Sequence, residues 1–276
     1  MREERVRAVL CAIGVAFMLQ FALAPIVYMA VVSLARSPEL IFSPGDTGAT
    51  IVNYVRILTD PSLHFLHYLR NSIVVAGASS LLAVFAAVPA AYAITRLPLP
   101  GKVVIVLSVL SISMFPQVSA IGYLFKLMAG LGWINTHASL VLPYAAWILP
   151  LTLWILVSYL SRIPRELDSA ALVDGCTRWK VLFRVILPVA APGILSAALL
   201  AFIFAFNEFL FALMLTTDFR ARTVPVGIAL FQGLHGQLPW GTVMAASVIS
   251  TIPVIILAMI FQRRIISGLT GGAVKG

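Results

Sequence analysis

The sequence predicts an all-α, polytopic membrane protein with six transmembrane helices. Of its 276 residues, 61% are hydrophobic and only 11% are charged, and the mean hydropathy is +1.03. A soluble domain of this length does not need so much apolar surface. The apolar residues also gather in six stretches of about 20 residues or more, which is the length a helix needs to cross a bilayer.

The six predicted spans form one domain that covers residues 1–276. The first span is too long for the apolar core of a signal peptide, so we expect it to stay in the protein. A charged loop over 160–188 separates the fourth span from the fifth, and a tail over 262–276 follows the last. The spans are placed at 8–34, 71–95, 103–127, 138–159, 189–215 and 242–261.

The distribution of lysines and arginines predicts the orientation of the spans. With six spans both termini lie on one side, which then holds 13 of the 19 basic residues, against 6 on the other. Basic residues favour the cytoplasmic side, so both termini and the 160–188 loop are predicted to be cytoplasmic. The net charge of +9 is scattered between spans rather than gathered on one face, which argues against nucleic-acid binding.

The sequence lacks the motifs of an enzyme. It contains no HExxH, no GxSxG and no acidic pair within a span, and Gly101-Lys102 lacks the other residues of a phosphate-binding loop. Cys11 and Cys176 are far apart and predict neither a disulfide framework nor a metal site. We expect no catalytic site and no bound cofactor or metal, so any ATP must be bound by another chain.

The loop segment 163–188 carries its own helical pattern. Pro164 suits a first helical turn, and Gly175 suits a left-handed helix end. Between them a narrow face of mainly small residues is predicted, and a second helix follows that we expect to stop at Pro188. The pattern alone favours an ordinary amphipathic loop on the membrane surface over a docking element. The first face comprises Leu167, Ala170, Ala171 and Asp174, and the second comprises Trp179, Leu182, Phe183 and Ile186.

A polar pair, Asn207-Glu208, interrupts the fifth span. An ionisable residue at membrane depth costs roughly 2.5–3.5 kcal/mol on insertion scales unless it faces protein or water. The pair therefore lines a pathway or gate, or else it holds two helices together by a hydrogen bond. Weaker pathway candidates on the third span are Gln117, Ser119 and Tyr123.

The 163–188 segment resembles the permease subunits of binding-protein-dependent ABC importers. Their signature is Glu-Ala-Ala, three residues, Gly, and then an apolar helix that ends in Leu-Pro. Ser169 stands where the family has its glutamate, and Asp168 is the neighbouring acid. The matching residues are Ala170, Ala171, Asp174, Gly175, Phe183, Leu187, Pro188 and Pro192.

Other pieces resemble the smaller permease of maltose-type systems. They are Asn53-Tyr54 before the second span, Asn71-Ser72 at its start, Asn207-Glu208-Phe209 in the fifth, and the ending GLTGGAVKG. The resemblance implies a type I ABC importer transmembrane domain in the bacterial cytoplasmic membrane. It also implies that this chain forms half of a pathway for a sugar, most simply a di- or oligosaccharide.

The same resemblance implies partners and residue roles. The partners are a second, homologous permease in a heterodimer, a cytoplasmic ATPase dimer that holds ATP and Mg, an extracytoplasmic sugar-binding protein, and membrane lipid. The implied ATPase contacts are Glu166, Asp168, Ser169, Ala170, Ala171, Asp174 and Gly175 in the loop and Gly268, Gly271, Gly272 and Lys275 in the tail; the implied pathway or gate residues are Asn207, Glu208 and Phe209.

Two alternatives remain at this point. A permease of the same class for a glycerol-phosphate compound or a polyol is the nearer one, although the spans contain no base that a phosphate substrate would need apart from Lys126 at the end of the third. A stand-alone secondary transporter is the other, and it would want ion-coupling acids in broken helices and an internal repeat. One span glutamate and no visible repeat argue against it.

Overall fold

The computed structural model describes residues 2–35, 48–231 and 239–270, and these are helical apart from turns and one isolated β-bridge between Ala35 and Ala49. Five helices are long and apolar enough to cross a membrane, or six if one sharply bent pair counts as a span. The predicted all-α, multi-span fold is therefore confirmed. Two compact units divide the chain: residues 1–65 with 228–252, and residues 66–227 with 253–276.

The first unit contains α1 (Arg2–Leu34), α2 (Val52–Thr59) and the first part of α12 (Trp240–Thr270). Asn53 Nδ2 donates hydrogen bonds to the carbonyls of Ser33 and Ala35 at 3.0 and 2.9 Å, and the Tyr54 hydroxyl lies 2.6 Å from Ser33 Oγ. The Asn53-Tyr54 pair therefore ties the surface helix α2 to the end of α1. A Cβ atom at Gly241 would lie 2.6 Å from Asn53 Nδ2, so this close approach requires glycine.

The second unit is built on three long helices, α3 (Phe65–Arg96), α6 (Ala138–Leu160) and α9 (Leu187–Phe206). The helix α6 packs extensively against α9, and a Cβ atom at Gly193 would overlap the ring of Tyr159. The remaining helices are α4 (Lys102–Ser113), α5 (Gln117–Gly130), α7 (Glu166–Val173), α8 (Arg178–Val181), α10 (Leu210–Leu215) and α11 (Val224–Ala229).

The two ends of this unit are held by different polar groups. At one end, Asn71 Nδ2 donates to the carbonyls of Phe219 and Arg222, both at 3.0 Å, and Ser72 Oγ accepts from the Val224 N–H. This explains the Asn71-Ser72 pair at the start of α3. Arg96 lies at the opposite end of α3, beside the 163–188 segment. We call these the Asn71 end and the Arg96 end.

Three predicted elements differ from the structure. The third predicted span is divided into α4 and α5, which meet at an 84° bend before Pro116. Proline lacks the N–H that a continuing helix needs and disfavours helical geometry in the residue before it, so Met114–Pro116 becomes a break rather than a kink. The predicted span 189–215 ends as a helix at Phe206, and α10 begins only at Leu210.

The predicted stop at Pro188 is also wrong. The chain stays helical from Arg178 to Phe206, and a π-helical stretch, Leu182–Ile186, precedes the proline. There the Leu187 N–H bonds to the carbonyl of Leu182, five residues back. This wider turn shifts the bonding register, so the missing N–H of Pro188 falls in the first turn of α9, where proline is tolerated.

Candidate functional site

The helix α7 ends in the left-handed cap that the sequence predicts. Gly175 has φ +80°, its N–H bonds to the carbonyl of Leu172 at 3.1 Å, and the Cys176 N–H bonds to that of Ala171 at 3.0 Å. These two bonds form a Schellman motif. A Cβ atom at Gly175 would meet nothing within 4 Å, so backbone conformation, and not space within this chain, requires glycine here.

The predicted small-residue face of α7 is turned partly inward. Ala171 is buried against the chain's own core, while Leu167, Ala170 and Asp174 are exposed. The two residues of α7 that are buried against the core are Asp168 and Ala171. Glu166, Ser169 and Gly175 are exposed as well, so five of the seven predicted ATPase contacts present an open surface.

The second predicted apolar face is divided in the same way. Leu182 and Ile186 are buried, whereas the rings of Trp179 and Phe183 are exposed and stack on each other with centroids 6.0 Å apart. Val173, at the end of α7, is 87% exposed. The Arg96 end therefore carries exposed apolar side chains beside the glycine cap.

Asp168 lies inside the chain and pairs with Arg96. Asp168 Oδ2 is 3.2 Å from Arg96 Nε, and the two side chains are 9% and 3% exposed. Arg96 Nη2 also donates to the carbonyl of Ile163 at 2.9 Å, and Arg165 Nη2 donates to the carbonyl of Thr95 at 3.1 Å. The predicted contact of Asp168 with an ATPase stays a prediction, and sequence reasoning missed Arg96 as its partner.

The Asn207-Glu208 pair forms the break between α9 and α10. Asn207 Nδ2 donates to the carbonyl of Ile203 at 2.8 Å, in the last turn of α9. The Glu208 carboxylate accepts from the N–H groups of Phe211 at 2.8 Å and Ala212 at 3.2 Å, at the start of α10. The two residues thus satisfy backbone groups that the break leaves without helical partners. Their aligned hydrogen bonds in the described part of the chain are all local, and Tyr144 of α6 is a polar neighbour of Glu208.

The break lines a cavity of about 520 Å³ in the second unit. Its polar groups come from Gln117, Asn207 and Glu208, and its aromatic walls include Trp147 and Phe209. Gln117 was a weaker sequence candidate for a pathway; Ser119 and Tyr123 are exposed elsewhere on α5 and do not line it. Tyr144 and Trp147 were missed, although a tyrosine hydroxyl within a span is a polar signal.

The Tyr144 hydroxyl makes no aligned hydrogen bond in the described part of the chain, and its side chain is 1% exposed. Glu208 and Thr223 are its polar neighbours. A buried hydroxyl normally has a partner, so a small rotation toward Glu208, or a molecule in the cavity, would satisfy it.

The tail contacts predicted from the resemblance lie at the end of the chain. Gly268 falls within α12, whereas Gly271, Gly272 and Lys275 lie outside the described residues. Their contact with an ATPase stays a prediction.

Comparison with known proteins agrees with this architecture. Residues 84–271 match the model of the family described as "Binding-protein-dependent transport system inner membrane component". The trehalose/maltose transport system permease protein MalG of Thermococcus litoralis is 55% identical over 277 residues, covering 100% of both chains. The trehalose transport system permease protein SugB of Mycobacterium tuberculosis is 38% identical, covering 93% of each.

Two further proteins extend the comparison. The sulfoquinovosyl glycerol transport system permease protein SmoH of Agrobacterium fabrum is 40% identical, covering 96% of this chain and 93% of its own. A crystal structure of a bacterial ABC transporter that imports the acidic polysaccharide alginate contains a chain with a TM-score of 0.78 at 21% identity, covering 95% of this chain and 98% of that one. This chain therefore belongs to the inner-membrane components of binding-protein-dependent transport systems, and among them to the carbohydrate-uptake permeases of ABC importers.

Proposed function

We propose that this chain forms one half of the membrane pathway of an ATP-driven importer for a neutral di- or oligosaccharide. The observation that carries the proposal is the pairing of two features in one unit: an exposed, glycine-capped α7 at the Arg96 end, and a cavity that Asn207 and Glu208 border. Relatives named for trehalose and maltose transport, at 55% and 38% identity, support the sugar.

The helix α7 is the proposed docking element for a cytoplasmic ATPase. Its exposed residues Ser169, Ala170 and Asp174 and its glycine cap are the expected contacts, with the exposed Trp179–Phe183 stack beside them. A short, rigid helix seated in a cleft transmits rigid-body motion, which is the kind of movement that alternates access between two membrane faces. On this proposal the Arg96 end and both termini face the cytoplasm, and the chain hydrolyses no ATP itself.

The chemistry of the cavity supports a neutral substrate. Its volume falls within the ordinary range of small-molecule pockets, and it combines apolar aromatic walls with a few polar groups. Amide groups of Gln117 and Asn207 both donate and accept hydrogen bonds, as sugar hydroxyls do. None of the described residues that line it is basic, so a glycerol-phosphate substrate would find no counter-charge.

We propose the other subunits by analogy with the family. A second, related permease would supply the other half of the pathway, and an external solute-binding protein would deliver the sugar. We propose that the tail, including Gly271, Gly272 and Lys275, reaches the ATPase.

A purified complex tests this proposal. Tagged protein is extracted in mild detergent, the recovered subunits are identified, and ATP hydrolysis is measured with binding protein and trehalose, maltose or sulfoquinovosyl glycerol. Recovery of an ATPase and a second permease, with hydrolysis stimulated by one neutral sugar, is the expected result. Recovery of this chain alone, with transport into ATP-free vesicles driven by an ion gradient, would show a secondary transporter instead.

Two tryptophans of α6 test the cavity separately. Trp147 lines it, whereas Trp154, two turns further along the same helix, is half exposed and instead borders a second cavity beside Thr95, Arg96 and Arg165. We expect Trp147→Ala to raise the sugar concentration needed for half-maximal transport, and Trp154→Ala to leave it unchanged. Equal effects of the two changes would contradict the assignment of the cavity to the pathway.

A further inference from the structure

We propose that Arg96 and Asp168 are positioning residues that fasten α7 to the end of α3, so that movement imposed on α7 reaches the membrane helices through this pair. The inference rests on the proposed ATP-driven function and deepens it. It assigns to Asp168 a task inside the chain, at a position where the family resemblance implies an acid that contacts the ATPase.

The first support is the reciprocal arrangement of the contacts. An arginine at the end of α3 reaches the backbone of the loop, since Arg96 Nη2 bonds to the Ile163 carbonyl at 2.9 Å. An arginine of the loop reaches the backbone of α3, since Arg165 Nη2 bonds to the Thr95 carbonyl at 3.1 Å. The ion pair of Arg96 with Asp168, at 3.2 Å, lies between them. Three contacts thus join segments separated by about 70 residues of chain, where one would leave a free hinge.

The second support is the shared core. Ala91, Tyr92 and Ile94 of α3 pack in one buried cluster with Ile163 and Ala171 of the loop segment. Leu156 and Leu160 of α6 belong to the same cluster. A close-packed interior resists continuous deformation and moves as a body. The ion pair therefore joins two segments, α3 and the loop, that also pack together with α6 in one buried cluster.

The third support is energetic. Burying two charges costs desolvation energy that their attraction often fails to offset, so a buried pair is weak evidence for stability. Here the oxygens of Asp168, the Nε of Arg96 and the hydroxyl of Tyr92, a polar neighbour of Asp168 on α3, make no aligned hydrogen bond in the described part of the chain, so the contact of Arg96 with Asp168 is an ion pair. Since such a pair adds little to stability, its contribution is better sought in geometry.

Arginine is required for this geometry. Its guanidinium holds the carboxylate through one nitrogen and a carbonyl through another, and a lysine has only one nitrogen for both. Arg96→Lys therefore keeps the buried charge but loses one of the two attachments. An ion pair needed only for charge balance would tolerate this change.

The test uses the complete reconstituted transporter, with both permeases, the ATPase and the binding protein. Sugar transported per ATP hydrolysed is measured, together with the dependence of hydrolysis on sugar. We expect Asp168→Asn to lower the transported amount per ATP by about fivefold or more, the lower end of ordinary coupling between sites. Hydrolysis should continue and lose its dependence on sugar. The matched control is Asp218→Asn, the same change in a half-exposed acid at the Asn71 end, which should leave the ratio unchanged.

Three variants separate coupling from folding. If Asp168→Asn lowers only thermal stability and keeps the normal ratio, the inference is wrong. If Asp168→Asn does not assemble, two other variants decide the question: Arg96→Lys, and the double change of Arg96→Met with Asp168→Leu, which removes both charges. A normal ratio of sugar to ATP in either assembled variant overturns the inference. A lowered ratio supports it. Failure of all three to assemble assigns the pair to folding and also overturns it. If the unmodified transporter needs no ATP, the proposed function fails instead, and that result is distinct.

Discussion

The Arg96–Asp168 contact and the Asn207–Glu208 break place polar side chains in an apolar chain in opposite ways. At the first, side chains reach across the fold, and the Arg165–Thr95 bond spans 70 residues of sequence. At the second, every aligned hydrogen bond that the two side chains make in the described part of the chain stays within four residues. The first arrangement joins separate segments, whereas the second allows a helix to break without help from its neighbours.

This difference teaches which parts of the unit can move together. A break that satisfies its own backbone groups needs no polar attachment to another helix, so a cavity can form beside it. At the Arg96 end, by contrast, the contacts between α3 and the loop would transmit a displacement from one to the other. The following predictions test these two regions and the two ends of the unit.

The largest effect is expected from Gly175→Asp. The left-handed backbone at φ +80° costs a residue with a side chain about 1–2 kcal/mol, and the new carboxylate enters the open surface where we propose that the ATPase docks. We expect transport to be abolished while the protein still accumulates in the membrane. Transport assays beside membrane quantification measure both.

A second glycine controls for the backbone strain. Gly132 has φ +69°, and a Cβ atom there would also meet nothing within 4 Å; it lies in the loop before α6, away from the Arg96 end. Gly132→Asp imposes the same conformational cost without touching α7, so it should retain transport. Full transport in Gly175→Asp would refute the docking assignment.

Glu208→Ala should have the next largest effect, on stability. It leaves two backbone N–H groups at the start of α10 without acceptors, and an unsatisfied buried donor costs about 1–3 kcal/mol. Thermal unfolding in detergent measures the loss. Glu208→Gln keeps one acceptor oxygen and should lose less; equal losses would mean that the cap is not what Glu208 provides.

A smaller loss is expected from Asn207→Ala. Only one side-chain hydrogen bond is removed, and a typical bond of this kind contributes about 0.5–1.5 kcal/mol. Because the hydrogen bonds of the break are local, the stability lost in Asn207→Ala or Glu208→Gln should simply add to the stability lost by a change at Arg96. A strong interaction in a double-mutant cycle with Arg96→Lys would contradict the separation of the two regions.

The smallest effect concerns pH at the Asn71 end. Burial, and then the nearby charge of Arg70, lower the pKa of His137, whose Nε2 lies 3.0 Å from Asn71 Oδ1. The folded state therefore disfavours the protonated ring, so its stability should be constant above the ordinary histidine value near pH 6.5 and fall as the pH drops below it. Comparing thermal unfolding at pH 7.5 and about 5.5 tests this. His137→Gln should flatten the difference.

Sequence reasoning predicted the elements whose cause is local. The spans follow from apolar length, and the α7 cap follows from Gly175. It did not predict the breaks at Pro116 and Asn207, because a proline or an amide within a span is compatible with a kink, a break or a straight helix until neighbouring helices are known.

The candidate site was predictable to a similar extent. Asn207 and Glu208 stood out because charge is costly in a span, and the structure places them beside a cavity. Tyr144, Trp147 and Arg96 were not singled out, because their contacts lie with residues far along the chain. The face of α7 was assigned from spacing alone, and spacing does not tell which side of a short helix meets the core, so the inward turn of Ala171 and Asp168 went unforeseen.

The link between Arg96 and Asp168 also has a consequence for biogenesis. Thr95 and Arg96 leave the ribosome about 70 residues before their partners in the loop, which at ordinary rates of synthesis is about 4–14 s. During that time Arg96 is a charge without a carboxylate, and because a charge is costly in the bilayer core, we expect it to stay at the lipid headgroups and hold the end of α3 on its side of the bilayer. The residue that later fastens α7 thus first serves as a topological anchor for the nascent chain.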